Sequence, residues 1–221
     1  MRFSLLKFKM ILYNRLSQNK PNRLLMNYSS VLILCGALVL SACSSNHHNP
    51  NGGRHIARKP MYKPSTIENA CAIMGAHPTW RNAFIGAHKK YGAPPHVVMA
   101  ILYQESRFVH NARPSRGNAY GYAQALDATW DWYKSKSGHK RAARDHLPDA
   151  VDFVGWYLQQ NKDRTGVSKW DARNQYLAYH EGTGGYLNDS HNEKAWLLKV
   201  ADKVNRHAIV YRQQLADCYK Y

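Results

Sequence analysis

One carboxylate stands at the end of a strongly apolar stretch. Glu105 follows Met99, Leu102 and Tyr103, whose i, i+3, i+4 spacing predicts the buried face of a helix. A carboxyl group among apolar and aromatic side chains loses hydration, and its pKa rises. A glutamate of this kind can hold a proton near neutral pH and donate it as a general acid. The alternative is a surface glutamate in the last turn of the helix.

Two later segments carry polar and aromatic groups that suit sugar chemistry. The first is Ser-Arg-Gly-Asn-Ala-Tyr-Gly-Tyr-Ala-Gln at residues 115–124, and the second is Ala-Tyr-His-Glu-Gly at residues 178–182. Together with Glu105-Ser106, and in this order, they resemble the catalytic domain of the soluble lytic transglycosylases. Those are goose-lysozyme-like enzymes that cleave peptidoglycan, and the resemblance runs over about residues 83–186. It implies a mainly α, lysozyme-like helical domain with a catalytic cleft.

The resemblance also implies a reaction and a substrate. Peptidoglycan glycan strands are the partner, and the MurNAc–GlcNAc β-1,4 bond is cleaved with formation of a 1,6-anhydro-MurNAc end. One glutamate acts first as acid and then as base, and the sugar's own 6-hydroxyl is the nucleophile. Glu105 is the candidate for that role. No cofactor is expected.

Three further residues are candidates for substrate binding. The hydroxyl of Ser106 is expected either to bond the substrate or to bond the backbone at the helix end. Gln124 is expected to bond a sugar or to brace the loop that faces Glu105, where Gly121 permits a turn. Tyr179 matches the family's tyrosine whose hydroxyl lies beside the catalytic glutamate.

Other positions depart from the family's pattern. Tyr122 replaces a leucine and is expected to offer a stacking face in the glycan groove, whereas Tyr120 lines the groove or packs in the core. His180 replaces an asparagine, and its capacity to donate and accept can preserve that role. Glu181 replaces a small residue. It is either a second carboxylate in the cleft or, as we favour, a residue of the rim or last helical turn that contacts nothing.

Two rival functions follow from these departures. A muramidase of the same fold would use water, with Glu181 as partner to Glu105. A wall-binding lipoprotein with a degenerate site would bind peptidoglycan without turnover. A metal site is not expected, because His180-Glu181 begins a His-Glu-x-x-His pattern whose second histidine is replaced by Gly184.

The amino terminus is typical of a bacterial lipoprotein signal. Basic residues without acids are followed by an apolar run over residues 24–40 and by Leu-Ser-Ala-Cys ending at Cys43. Residues 1–42 are therefore predicted to be removed and Cys43 to carry lipid. The serine after Cys43 resembles that of lipoproteins sorted to the outer membrane, facing the periplasm. A transmembrane anchor is disfavoured, because Asn27, Tyr28 and two serines interrupt a run shorter than about 20 residues.

Charge and cysteines set further limits. The net charge of +17 suits contact with anionic lipid or wall polymer, and the scattered positive residues show no basic–aromatic motif for nucleic acid. Residues 43–65 are predicted to be the lipidated cysteine and a flexible linker, and residues 66–221 are predicted to be the transglycosylase domain. Cys71 and Cys218 are predicted to form a disulfide in an oxidising periplasm; two buried free thiols are the alternative.

Periodicity and capping residues predict helices almost throughout this domain. Apolar residues at helical spacing fall into seven segments, beginning near Ser65, Pro78, Pro94, Asp127, Pro148, Ser168 and Glu193. Alternation of period two occurs only near residues 120–124. Gly182, Gly184 and Gly185 predict a flexible loop after the sixth helix.

Overall fold

A computed structural model describes residues 66–219, which form seven α-helices and one short 3₁₀-helix without a strand. The helices are α1 (Ala70–Gly75), α2 (Pro78–Tyr91), α3 (Pro95–Ser106), α4 (Asp127–Ser137), α5 (Leu147–Thr165), α6 (Ala172–Leu187) and α7 (Ala195–Cys218), with the 3₁₀-helix at Ser190–Glu193. The mainly α prediction is confirmed. The predicted signal peptide, Cys43 and the linker lie outside the described residues.

The buried centre of the domain is α3. Gly92 ends α2 in the left-handed conformation at φ 62°, and Pro95 occupies the first turn of α3, where its missing N–H costs nothing. Val97 to Leu102 are fully buried at 0% exposure. The helix packs against α7, while α2 packs on α5 and α6 on both α5 and α7. This arrangement fixes the last turn of α3, which carries Glu105.

Two helix starts and the segment with period-two alternation differ from the sequence predictions. Helix α1 begins at Ala70, where the side chain of Asn69 accepts a hydrogen bond from Ala72 N at 2.9 Å; the predicted cap, Ser65, lies outside the described residues. Helix α6 is capped by Asp171 rather than Ser168, because the carbonyl of Ser168 closes a turn onto Asp171 N at 3.0 Å. Where the sequence alternates near residues 120–124, the structure has a single isolated antiparallel bridge between Tyr120 and Ala125.

The predicted loop at Gly182 is wrong in its extent. Helix α6 continues to Leu187 across a kink at Gly182, whose φ of 71° and ψ of 162° suit glycine alone. The kink redirects the helix at the point where His180 and Glu181 are presented.

The two ends of the domain are joined at α1 and α7. Cys71 and Cys218 form a disulfide with Cα atoms 5.9 Å apart. Beside it, Gln214 accepts a hydrogen bond from Ala70 N at 2.8 Å, and Tyr211 donates one to the carbonyl of Ile67 at 2.5 Å.

Within residues 66–219, no helix combines the length and the apolar character that crossing a bilayer requires.

Candidate active site

A cleft of about 500 Å³ lies where the end of α3 meets α4, α5, α6 and the segment between α3 and α4. Its walls are mostly apolar and aromatic, with a few polar groups. It is lined by Glu105, Pro114, Ala119, Gln124, Ala125, Leu126, Thr129, Phe153, Tyr157, Tyr179, His180, Glu181 and Gly182.

The position of Glu105 is set by the way α3 ends. Arg107 and Phe108 both adopt the left-handed conformation, at φ 48° and 57°, so the chain turns sharply after Ser106. Phe108 then packs fully buried against Trp80, with ring centroids 6.2 Å apart. Burial of this ring compensates for the strained turn and holds Glu105 at the cleft.

Burial raises the pKa of Glu105 to about 7, as its sequence context predicts. A hydrogen bond from the hydroxyl of Tyr176 stabilises the carboxylate and lowers the pKa, but it does not offset the effect of burial. Glu105 is thus poised to exchange a proton near neutral pH.

Tyr176 is the residue of this site that sequence reasoning missed. It lies three residues before Tyr179, so both side chains fall on one face of α6. Tyr179 donates a hydrogen bond to the carbonyl of Ala123 at 2.6 Å and lines the cleft. The i, i+3 spacing of the two tyrosines was the available indication, because the face that holds Tyr179 near Glu105 also carries Tyr176.

Replacing Tyr176 with phenylalanine is expected to raise the pKa of Glu105 further. The hydrogen bond favours the charged form, so its loss favours the protonated form. The alkaline limb of the pH profile of kcat/KM should move to higher pH if Glu105 is the acid. Tyr157→Phe is the matched control, because Tyr157 lines the cleft without donating to Glu105. An unchanged alkaline limb in Tyr176→Phe would contradict this assignment.

Gln124 braces the segment that faces Glu105, which is one of the two roles that the sequence suggests for it. Its side-chain amide donates to the carbonyls of Ala112, at 2.9 Å, and Gly121, at 2.7 Å. Gly121 has φ 77°, and a Cβ there would lie 2.1 Å from the carbonyl oxygen of Arg144. A glycine is therefore required at this point of the cleft wall.

Three candidate binding residues turn away from the cleft. Tyr122 is fully buried and packs edge-on against Trp80, so the expectation of a stacking face in the groove is wrong. Its aromatic bulk fills the core instead. The ring centroid of Tyr120 lies 4.2 Å from the guanidinium carbon of Arg113 and 5.4 Å from that of Arg144, and Tyr120 does not line the cleft. The hydroxyl of Ser106 donates to the carbonyl of Leu102 at 3.2 Å, which is the backbone alternative.

Glu181 lines the cleft but does not stand free, so the expectation that it contacts nothing is wrong. Lys194 Nζ lies 2.8 and 2.7 Å from its two carboxylate oxygens, and Ser190 donates to it as well. His180 Nδ1 lies 3.0 Å from the same carboxylate. Burial alone would raise the pKa of Glu181, but the bonds from Lys194, Ser190 and His180 outweigh it and lower the pKa to about 2.

Glu181→Gln is expected to lower the free energy of unfolding by about 1–2 kcal/mol at neutral pH. Removing one partner of a buried pair is costly, but solvent screens Lys194, which is 40% exposed. Because the pKa of Glu181 is depressed in the folded state, its stabilisation is complete above the usual 4.5 and is lost as the pH falls to about 2. Urea unfolding should therefore show the two proteins converging over that range. A constant difference would contradict the ion pair.

Among the described residues, no group of three or more His, Cys, Asp or Glu side chains is placed to hold a metal ion. Glu105, with Tyr176 and Tyr179 beside it, can exchange a proton in the cleft.

A protein-family model matches most of the chain. A family model described as "Transglycosylase SLT domain" covers residues 31–218, which includes every residue of the cleft. No curated protein matches the chain significantly.

Proposed function

Since the chain belongs to the transglycosylase SLT domain family, whose activity on peptidoglycan is of the lytic transglycosylase type, we propose that it cleaves the MurNAc–GlcNAc β-1,4 bond and leaves a 1,6-anhydro-MurNAc end. Glu105 serves as the general acid and then as the general base. The observation that carries this proposal is that, of the two glutamates that line the cleft, Glu105 has its pKa raised to about 7 whereas the pKa of Glu181 is lowered.

The two half-reactions use one proton. Protonated Glu105 donates to the glycosidic oxygen as the bond from C1 to that oxygen breaks, and the GlcNAc part leaves as an alcohol. The 6-hydroxyl of the same MurNAc then attacks C1 and gives its proton to the Glu105 carboxylate. A C1–O6 bond replaces the glycosidic bond, Glu105 returns to its starting form, and no water is consumed.

The nearest alternative is hydrolysis with Glu181 as second carboxylate. Glu105 and Glu181 are the two carboxylates among the described cleft residues. The oxygens of Glu181 already accept bonds from Lys194 and Ser190, and its charge is balanced by Lys194. This engagement leaves Glu181 poorly suited to activate a water, and it favours the intramolecular reaction of the transglycosylase.

Mass spectrometry of muropeptides released from purified sacculi tests the proposal. Anhydro-muramoyl products are expected from the wild-type protein and from Glu181→Gln. Products one water heavier, lost in Glu181→Gln, would support the muramidase instead. Sacculus binding without any product would support the wall-binding lipoprotein.

We also propose that the protein is anchored by lipid on Cys43 to the outer membrane, facing the wall from the periplasm. Cleavage before Cys43 would leave a basic linker ahead of the domain, and a tether of this composition lets the cleft reach the glycan. Labelled palmitate should enter the wild-type protein and not Cys43→Ser. Equal labelling of both would contradict the anchor.

A further inference from the structure

A large aromatic side chain lies exposed beside the cleft and has no part in the chemistry above. Trp196, in the first turn of α7, is 56% exposed. A tryptophan offers a large rigid apolar surface and usually buries most of it. Its place beside a cleft residue, more than its exposure, makes Trp196 a candidate contact for a ligand.

Contacts within the site hold this tryptophan at the cleft. Its ring meets the ring of His180 edge-on, with centroids 5.2 Å apart, and His180 is a cleft residue. Two residues before Trp196, Lys194 bonds both carboxylate oxygens of Glu181, which is also in the cleft wall. Lys194 thus ties the start of α7 to the cleft wall, and the ring itself contacts His180, so the ring is positioned before any ligand arrives.

His180 adds a polar group of defined character to this aromatic surface. Because an ionised carboxylate only accepts hydrogen bonds, the Nδ1 facing Glu181 must carry a proton. With Nδ1 protonated, Nε2 is an acceptor in the neutral ring and a donor in the charged ring, and the side chain is 35% exposed. An apolar ring face next to a hydrogen-bonding nitrogen matches a pyranose, which has C–H groups on its faces and hydroxyl or amide groups around its edge.

We propose that Trp196 and His180 form a sugar-binding surface that extends the cleft and takes a saccharide of the glycan strand beyond the scissile bond. The sugar stacks on the ring of Trp196 and forms a hydrogen bond with His180 Nε2. The substrate class rests on the proposed function. The Glu181–Lys194 pair is the support that positions this surface, which gives the departure from a small residue at Glu181 a role outside catalysis.

Binding to peptide-free glycan strands tests this proposal separately from cleavage. All variants are made in full-length protein that also carries Glu105→Gln, so that strands stay intact. Trp196→Ala is expected to weaken binding about tenfold, and Trp196→Phe to retain most of it. Trp170→Ala is the matched control, because Trp170 is 46% exposed and contacts His96 and Arg212, which do not line the cleft.

Unchanged binding by Trp196→Ala would overturn the proposal, and so would equal weakening by Trp170→Ala. A loss in Trp196→Phe as large as in Trp196→Ala, with a lower Tm in both, would assign Trp196 a structural role and also overturn it. If the wild-type protein proves not to cleave sacculi, the proposed function fails, yet tenfold weaker binding by Trp196→Ala would still support the sugar-binding surface.

Discussion

Replacing Glu105 with glutamine should lower the rate of glycan cleavage by about 10³-fold or more, since general acid–base catalysis by one positioned side chain contributes up to about 10⁴-fold. Glutamine keeps the shape of glutamate and can still accept the hydrogen bond from Tyr176. It cannot donate a proton to the glycosidic oxygen or receive one from the 6-hydroxyl. Release of soluble muropeptides from sacculi measures the loss.

Two matched variants make this experiment specific. Glu193→Gln changes an exposed glutamate outside the cleft and should leave the rate unchanged. Glu181→Gln removes the other cleft carboxylate and should leave more than a tenth of the activity, since its role is support. Full activity in Glu105→Gln would show that Glu105 is not the acid, and a loss of more than tenfold in Glu181→Gln would contradict a purely supporting role for Glu181.

The stability of Glu105→Gln provides a second measurement. A variant that lost activity by unfolding would be less stable than wild type, whereas this variant is expected to gain stability as the pH rises. Burial raises the pKa of Glu105 to about 7 in the folded state, so ionisation of this residue opposes folding. Below the usual pKa of 4.5 Glu105 is protonated in both the folded and the unfolded state, and this cost is absent. The free energy of unfolding of wild type then falls as the pH rises from 4.5 through about 7. The variant has no such group. It should therefore become more stable relative to wild type over that range, at the cost of catalysis.

The sequence was a good guide to the helices and to Glu105 because both depend on local patterns. Apolar spacing, Pro95 and Gly92 define α3 without knowledge of its partners. The same apolar turn predicts the raised pKa of Glu105, although the burial itself is completed by other helices. Predicting these features needs only neighbours along the chain.

Features that depend on distant partners could not be predicted in the same way. The bond from Tyr176 to Glu105 joins α6 to α3, and the ion pair of Lys194 with Glu181 crosses the kink at Gly182. Neither is encoded in a short motif.

Tyr122 illustrates a different difficulty. An aromatic residue in a groove motif suits both a stacking face and the core, and only the position of Trp80 decides between them.

Removing the link between the two ends of the domain is expected to have the largest effect on stability. The double variant Cys71→Ser/Cys218→Ser should lose about 4 kcal/mol of unfolding free energy, because the bridge closes a very long loop and restricts the unfolded chain. The urea midpoint should fall accordingly. At 25 °C the cleft should keep its activity, since none of its lining residues belongs to α1 or α7, the two helices that the bridge joins.

The wild-type protein in reducing agent is the control for this variant. Reduction should bring its urea midpoint to that of the double variant, while the variant itself should not respond to the reducing agent. Hydrogen bonds from Ala70 to Gln214 and from Tyr211 to Ile67 remain after reduction, so α1 should stay docked in the absence of denaturant. Identical midpoints for oxidised wild type, reduced wild type and the double variant would contradict a stabilising bridge between Cys71 and Cys218. A lower midpoint in reduced wild type and the variant, with cleavage unchanged, would separate the stabilisation of this fold from the chemistry of Glu105.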